Sequence, residues 1–271
     1  MTGIDEGSGG SAEHADVAVA RIVGAQTLER GLDLLERAAR EPMSMLDLIR
    51  QSGINKGVVY RLVSVLTARN YLAMTGDGRL RGGATLLQLG HVTSAFTDIV
   101  AVAQPHLEAL AQRTGLSAFL ARRDGDHSIH LSRVAGSERI AVTSQPGTRR
   151  LLPETGLGKT LMSDDDPAAC ARLCERVEAR YRGALFEQLA AVRATGVLNQ
   201  IGPAPDLINS VCAPVRDAAG RIIGAINIAA PAHYLDAEAM VAFNPLIAET
   251  GRSVSRELGG FAHDAGRPKP V

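Results

Sequence analysis

Tryptophan is absent from the 271-residue chain and aromatic residues make up only 3% of it, which argues against binding single-stranded nucleic acid on stacked aromatic platforms. Cysteine is scarce as well. Cys170, Cys174 and Cys212 are too few and too odd in number for a disulfide framework, so a reducing compartment is expected. No long hydrophobic run is present: the longest nearly apolar stretch, 222–232, is interrupted by Asn227 and falls far short of the roughly 18–20 residues of a membrane helix. The N-terminus carries Asp5, Glu6, Glu13 and Asp16 but no basic residue before Arg21. It therefore lacks the basic start and apolar middle of a secretory signal, and a cytoplasmic location is expected. Charge of one sign is not in excess either, since 29 Lys and Arg balance 29 Asp and Glu, and 45% of the residues are hydrophobic. That is the composition of a globular chain rather than a disordered one.

The balance hides an asymmetry. Residues 1–20 hold four acids and no base, in a Gly- and Ser-rich stretch without hydrophobic period, and are expected to form a disordered tail, as are residues 261–271. Residues 21–83 hold ten Lys and Arg against six acids, a basic head on a neutral body. Within the head, Leu28, Leu32, Leu35 and Ala39 recur at helical spacing, and Pro42 lies just beyond; they predict a first helix with these residues inward. Ser44 offers an N-cap to a short second helix, Met45–Gln51, with Leu46, Leu48 and Ile49 on its buried side and Gly53 as the turn. Asn55 caps a third, whose inward face is Val59, Leu62, Val63 and Leu66. Two short extended runs joined through Asp77-Gly78 complete the unit as a β-hairpin. Three short helices and a hairpin read as a winged helix-turn-helix.

The outward face of the third helix is the candidate DNA contact, because a helix fits the major groove and its first turns reach base edges and phosphates. Arg61 suits guanine or phosphate, Lys56 a phosphate, Tyr60 a phosphate oxygen and Val58 a thymine methyl, while Gly57 permits close backbone approach. Ser44, Asn55, Ser64 and the hairpin residue Arg79 complete the expected DNA-facing set. The competing reading is a three-helix scaffold that uses its basic face for protein contacts.

From Ala84 to about Arg113 a helical period is expected to be broken by Pro105 into a linker helix, 84–104, and a helix that opens a second, α+β domain over 105–260. Its predicted strands are 117–122, 127–133, 139–143, 209–216 and 221–229, and its predicted helices about 155–163, 167–180, 185–195 and 235–258, with strands on one side and helices on the other. Gly158-Lys159-Thr160 invites a phosphate-loop reading, but Pro153 occupies the position where that loop needs a glycine. Cys170 and Cys174 lie one helical turn apart with no histidine to complete a metal site, and His127 and His130 point to opposite faces of a strand. No Gly-x-Ser-x-Gly elbow or His-Glu-x-x-His helix occurs. Neither catalytic residue, cofactor nor metal is called for.

Residues 26–83 resemble the winged helix-turn-helix of the IclR-type (isocitrate lyase regulator) bacterial transcription factors, above all at Ser52-Gly53-Ile54-Asn55-Lys56-Gly57-Val58-Val59-Tyr60-Arg61-Leu62. A second match is Pro146-Gly147-Thr148-Arg149 followed by Thr155-Gly156-Leu157-Gly158-Lys159-Thr160, and a third is Cys212-Ala213-Pro214-Val215-Arg216-Asp217 followed by Gly224-Ala225-Ile226-Asn227-Ile228-Ala229-Ala230-Pro231. The resemblance implies a DNA-binding domain, a linker helix and a GAF-like effector domain that binds a small organic metabolite. Ser210 stands where the family commonly has Cys, and Asn227 to Pro231 where Ser-Val-Ser-Gly-Pro is common; the family's effector pocket lies at those positions. Paired acids usual in the family's loop are missing from 199–207. Gly156, Gly158, Ser210, Cys212, Asn227 and Ala229 are the expected effector-binding residues, with the two glycines leaving room beside a wall that suits a neutral or weakly polar compound.

The expected function is a ligand-responsive transcriptional regulator that binds double-stranded operator DNA as a homo-oligomer, dimer or tetramer. Its expected seam is Leu86, Leu89, Val92 and Phe96, since one recognition helix supplies few base contacts and pairing half-sites adds affinity. The alternatives are a small-molecule-binding enzyme domain fused to a basic interaction module, and a DNA-binding protein whose second domain only oligomerises.

Overall fold

The structure is a computed structural model that describes residues 25–96, 98–140, 142–178, 184–204 and 207–260. The tails expected to be disordered, 1–20 and 261–271, lie outside the described residues. The chain divides into two units at Phe96 and Thr97.

In the first unit, α1 spans Gln26–Arg40, α2 Met45–Ser52, α3 Lys56–Ala68, β1 Leu72–Met74, β2 Leu80–Gly82 and α4 Ala84–Phe96. Local chemistry sets the boundaries. The Ser44 hydroxyl accepts from Asp47 N at the start of α2, and Gly53, at φ 65°, takes the left-handed conformation that ends it. Asn55 Oδ1 accepts from Gly57 N at 2.9 Å and opens α3. β1 and β2 pair antiparallel, Leu72 opposite Gly82. Leu34, Leu35, Ala38, Leu48, Val59, Val63, Leu72 and Leu80 form one core.

Two expected faces are corrected. Leu28 and Leu32 are 65% and 46% exposed, and the inward stripe of α1 is Gly31, Leu34, Leu35 and Ala38. Gly31 takes a core position because α3 crosses there: a Cβ on it would lie 3.8 Å from Leu62 Cδ2. On α2, Leu48 is buried and Leu46 is 65% exposed. The linker helix is also shorter than expected. α4 ends at Phe96, and α5, Ile99–Thr114, opens on Asp98, whose side chain accepts from Val100 N; Pro105 lies inside α5 and does not break it.

The second unit continues with β3 (Ser117–Asp124), β4 (His127–Val134), β5 (Arg149–Leu151), a single 3-10 turn (Leu152–Glu154), α6 (Gly156–Leu161), α7 (Pro167–Glu175), α8 (Leu185–Thr195), β6 (Leu198–Gln200), β7 (Ile208–Arg216), β8 (Ile222–Pro231) and α9 (Ala237–Glu257). Six strands form one antiparallel sheet in the order β5-β4-β3-β8-β7-β6. Strand alternation divides the side chains between its faces. Ala118, Leu120, Val211, Ala213, Val215, Ile226 and Ile228 meet Leu107 and Leu110 of α5 and Met240, Ile247 and Val254 of α9. Phe119, Ala121, Ala225 and Ala229 meet Leu157 and Leu161 of α6, Cys170 of α7 and Leu185 and Leu189 of α8. Helices therefore cover both faces, not one. No strand forms among the described residues of 139–143; the strand beside β4 is β5, with His127 opposite Leu151.

Candidate DNA-binding and effector sites

On α3 the sequence turns its two sides to different tasks. Val59 and Val63 are buried, while Lys56, Gly57, Tyr60, Arg61 and Ser64 are exposed and Val58 is half-buried. Lys56 Nζ stands 5.8 Å from the Tyr60 ring centroid, a cation–π distance that holds the two side chains together. Among the described residues no carboxylate pairs with Lys56 or Arg61, so both charges face solvent. Other members of the expected DNA-facing set are already engaged. Ser44 Oγ donates to Asp47 Oδ2 at 2.7 Å besides capping α2, Asn55 caps α3, and Arg79 lies 3.5 Å from Asp77 Oδ2 and donates to Pro42 O at 3.4 Å. Asp77 itself hydrogen-bonds the Thr75 hydroxyl, which holds its carboxyl below the usual range.

The second unit holds a cavity of about 380 Å³ between the α6 side of the sheet and the chain around 142–157. Gly156, Ser210, Asn227 and Ala229 line it; Gly158 and Cys212 do not. The glycines do not leave room for a ligand. A Cβ on Gly156 would sit 2.7 Å from both Ser210 Oγ and Cys212 Sγ, and one on Gly158 would sit 2.2 Å from the Leu152 carbonyl oxygen. Their lack of a side chain lets α6 press against the sheet and the 3-10 turn. Cys212 is fully enclosed with Val192 and Leu198, and burial pushes its thiol up to about 12 although Ser210 Oγ lies 3.5 Å from its sulfur.

The remaining wall was not singled out in the sequence. Phe119 and His130 come from β3 and β4, Thr143, Ser144, Thr148, Arg150 and Glu154 from the segment before α6, and Gln200, Gly202, Pro203 and Ile208 from β6 to β7. The His130 ring lies 5.5 Å from that of Phe119, and burial, reinforced by Arg150, pushes its pKa down. The one available signal was the period-two run Ser128, His130, Ser132, all buried on β4. His130 Nδ1 and Asn227 Oδ1 are buried without a hydrogen-bond partner. Each such atom costs about 1–3 kcal/mol unless something satisfies it. Behind this wall Lys159 is 2% exposed, and its Nζ donates to Gln188 Oε1 and Gln200 Oε1, both at 2.8 Å. Burial pulls its pKa down to about 8. An enclosed ammonium bound to two amides has no reach to a phosphate.

Two family models match: the IclR helix-turn-helix domain over residues 27–75 and the bacterial transcriptional regulator IclR C-terminal domain over 91–256. The HTH-type transcriptional regulator XynR of Escherichia coli K12 is 25% identical over 246 residues, covering 86% of this chain and 97% of XynR. The DNA-binding transcriptional repressor YiaJ of the same organism is 26% identical over 263 residues, 90% of this chain and 92% of YiaJ. A solved structure from Silicibacter sp. TM1040, described as an IclR transcriptional regulator, superposes with a TM-score of 0.79 at 23% identity, covering 89% of this chain and 99% of that one, and so shares its fold.

Proposed function

Because the chain belongs to the IclR family of bacterial transcriptional regulators, which are DNA-binding proteins and not enzymes, we propose that it binds operator DNA through the outward face of α3 and that a small organic effector in the 142–157 cavity modulates that binding. The reading of the second domain as an enzyme is set aside with the family. The observation that carries the effector reading is a cavity of about 380 Å³ lined by both apolar residues, among them Phe119, Leu157 and Ala229, and polar ones, among them His130, Ser210 and Asn227. A volume at the lower end of the roughly 300–1,000 Å³ of ligand pockets suits a small metabolite. A domain that served only for oligomerisation would have no use for an open cavity of mixed polar and apolar lining.

The same proposal places the protein in the cytoplasm with its DNA, and pairs two copies through α4. Leu89 and Val92 are 49% and 54% exposed there, whereas Leu86 of the expected seam packs on the core of its own unit. Sedimentation at micromolar concentration should show a dimer or larger, and a monomer would end that part of the proposal.

The test begins with the full chain selecting fragments from sheared genomic DNA, followed by titration of the enriched fragment in rising salt. Small-molecule extracts of cells grown on different carbon sources are then added. Enrichment of a discrete fragment and its release or tighter binding with one extract is the expected result. Failure to enrich any fragment overturns the DNA assignment, and indifference to every extract overturns the effector.

A further inference from the structure

If the cavity is the effector site, the make-up of its wall narrows what the effector is. Ligand pockets are lined for the most part by apolar side chains with a few polar groups among them. In this one ten of the eighteen lining residues are polar or charged, so an apolar compound would leave most of the wall without partners. Half of those ten carry hydroxyls: Thr143, Ser144, Thr148, Thr155 and Ser210. A hydroxyl both donates and accepts, and it turns to suit its partner. Thr148 and Thr155 each accept a backbone N–H, from Gln145 at 3.2 Å and from Gly158 at 3.0 Å, and keep their own protons to donate. Ser144 Oγ has no hydrogen-bond partner among the described residues and is not enclosed. Glu154 adds an acceptor: its Oε2 takes the 2.7 Å bond from Arg150 Nε, while Oε1 has no partner among the described residues and is not enclosed either. A carboxylate beside a guanidinium suits a ligand group that both gives and takes hydrogen bonds. Phe119, Leu157, Ile208 and Ala229 supply carbon surface for the ligand's C–H groups.

We propose that the effector is a small polyhydroxylated compound, a polyol or sugar derivative whose hydroxyls pair with those of the wall and one of whose hydroxyls donates to Glu154 Oε1. Hydroxyls match a wall in which donor and acceptor are interchangeable, whereas a ketone or carboxylate only accepts and an ammonium only donates. A carboxylate at one end of such a compound is compatible with the same wall, which holds hydroxyl donors for it. A free polyol and a sugar acid therefore share the chemistry, and the probes separate them. The inference rests on the cavity reading above.

The probes are erythritol, ribitol and sorbitol, the aldonates of the same chain lengths and, as counterparts lacking the inner hydroxyls, the α,ω-diols and alkanoates of those lengths. Binding to the full chain is measured by calorimetry, and occupancy of the cavity by the ¹⁵N imidazole resonances of His130, assigned with His130→Gln. At least one polyol or aldonate should bind and shift His130, with its counterpart about tenfold weaker or more, and Glu154→Gln should remove about tenfold of its affinity. If Glu154→Gln does not fold, Ser144→Ala deletes a hydroxyl that no other described residue uses and should weaken the same probe severalfold. Binding by a polyol assigns a free polyol, and binding by an aldonate alone a sugar acid. Counterparts that bind as tightly and shift His130 leave the cavity reading standing and overturn the polyhydroxylated class, as does full affinity in the folded variant. Polyols or aldonates that bind without moving His130 overturn the cavity reading. Where no probe binds, the class falls and the titration with cell extracts decides the cavity by itself.

Discussion

Along β7 and β8, neighbouring residues of one strand face opposite ways. Val211, Ala213, Ile226 and Ile228 meet α5 and α9 in a continuous apolar cluster, whereas Ser210, Cys212, Asn227 and Ala229 turn toward α6 and the cavity. The first side is filled with carbon; the second carries polar side chains, Ser210 and Asn227 among them, and borders the cavity. One strand thus divides its alternate positions between a filled core on one face and, on the proposed reading, the effector cavity on the other. On α3 the division has the helical period, with Val59 and Val63 inward and Lys56 and Arg61 outward.

The widest test of this division substitutes adjacent residues. Ile228→Ala should cost roughly 2–5 kcal/mol of folding stability, as truncations in filled cores do. Asn227→Leu should stay within about 1 kcal/mol of wild type, because it removes a buried amide oxygen that has no partner. Urea unfolding of both variants decides, and an equal loss would mean that the two faces do not differ in task. On the α3 surface, Arg61→Ala should weaken operator binding by about 1–3 kcal/mol with the melting temperature unchanged, since the side chain faces outward. Full affinity in the folded variant would move base reading elsewhere.

Lys159 sharpens the comparison by pH. In the unfolded chain its pKa is near the ordinary 10.5, and in the fold it falls to about 8, so the unfolded state binds the proton more tightly between those values. Stability should therefore rise with pH across that window, by up to about 1.4 kcal/mol per pH unit relative to Lys159→Met. Parallel urea midpoints for wild type and variant from pH 7.5 to 10 would show that the ammonium is not desolvated behind the cavity. The smallest effect belongs to Lys56→Ala, which should lower the slope of log affinity against log salt by about 0.9, one phosphate contact. An unchanged slope would leave Lys56 without a phosphate.

Helix α3 was legible because its information is local. Asn55 caps it and the apolar period fixes its inward face, so α3 and its exposed cations follow from the consecutive residues 55–68 alone. The inward stripe of α1 was misread because Gly31 holds a core position that hydrophobic counting does not credit. β5 and β6 are three residues each, too short to show alternation, and so the sheet was read without its margins. The cavity was half legible. Ser210 and Asn227 came from a family likeness along two strands, while His130, Arg150 and Gln200 reach the same space from β4, β5 and β6, a convergence set by strand order rather than by spacing in the chain. Gly156 and Gly158 were seen as space when their role is contact.

The brevity of β5 and β6 has its own consequence. They are the two margins of the sheet, and each presents only three residues, with Pro153 soon after one and Pro203 soon after the other. A passing strand finds little open ladder of N–H and C=O groups to extend, and a proline beside each denies it a donor. The long inner strands, with the isoleucine- and alanine-rich β8 among them, are in this way flanked by margins that offer a second sheet little to pair with.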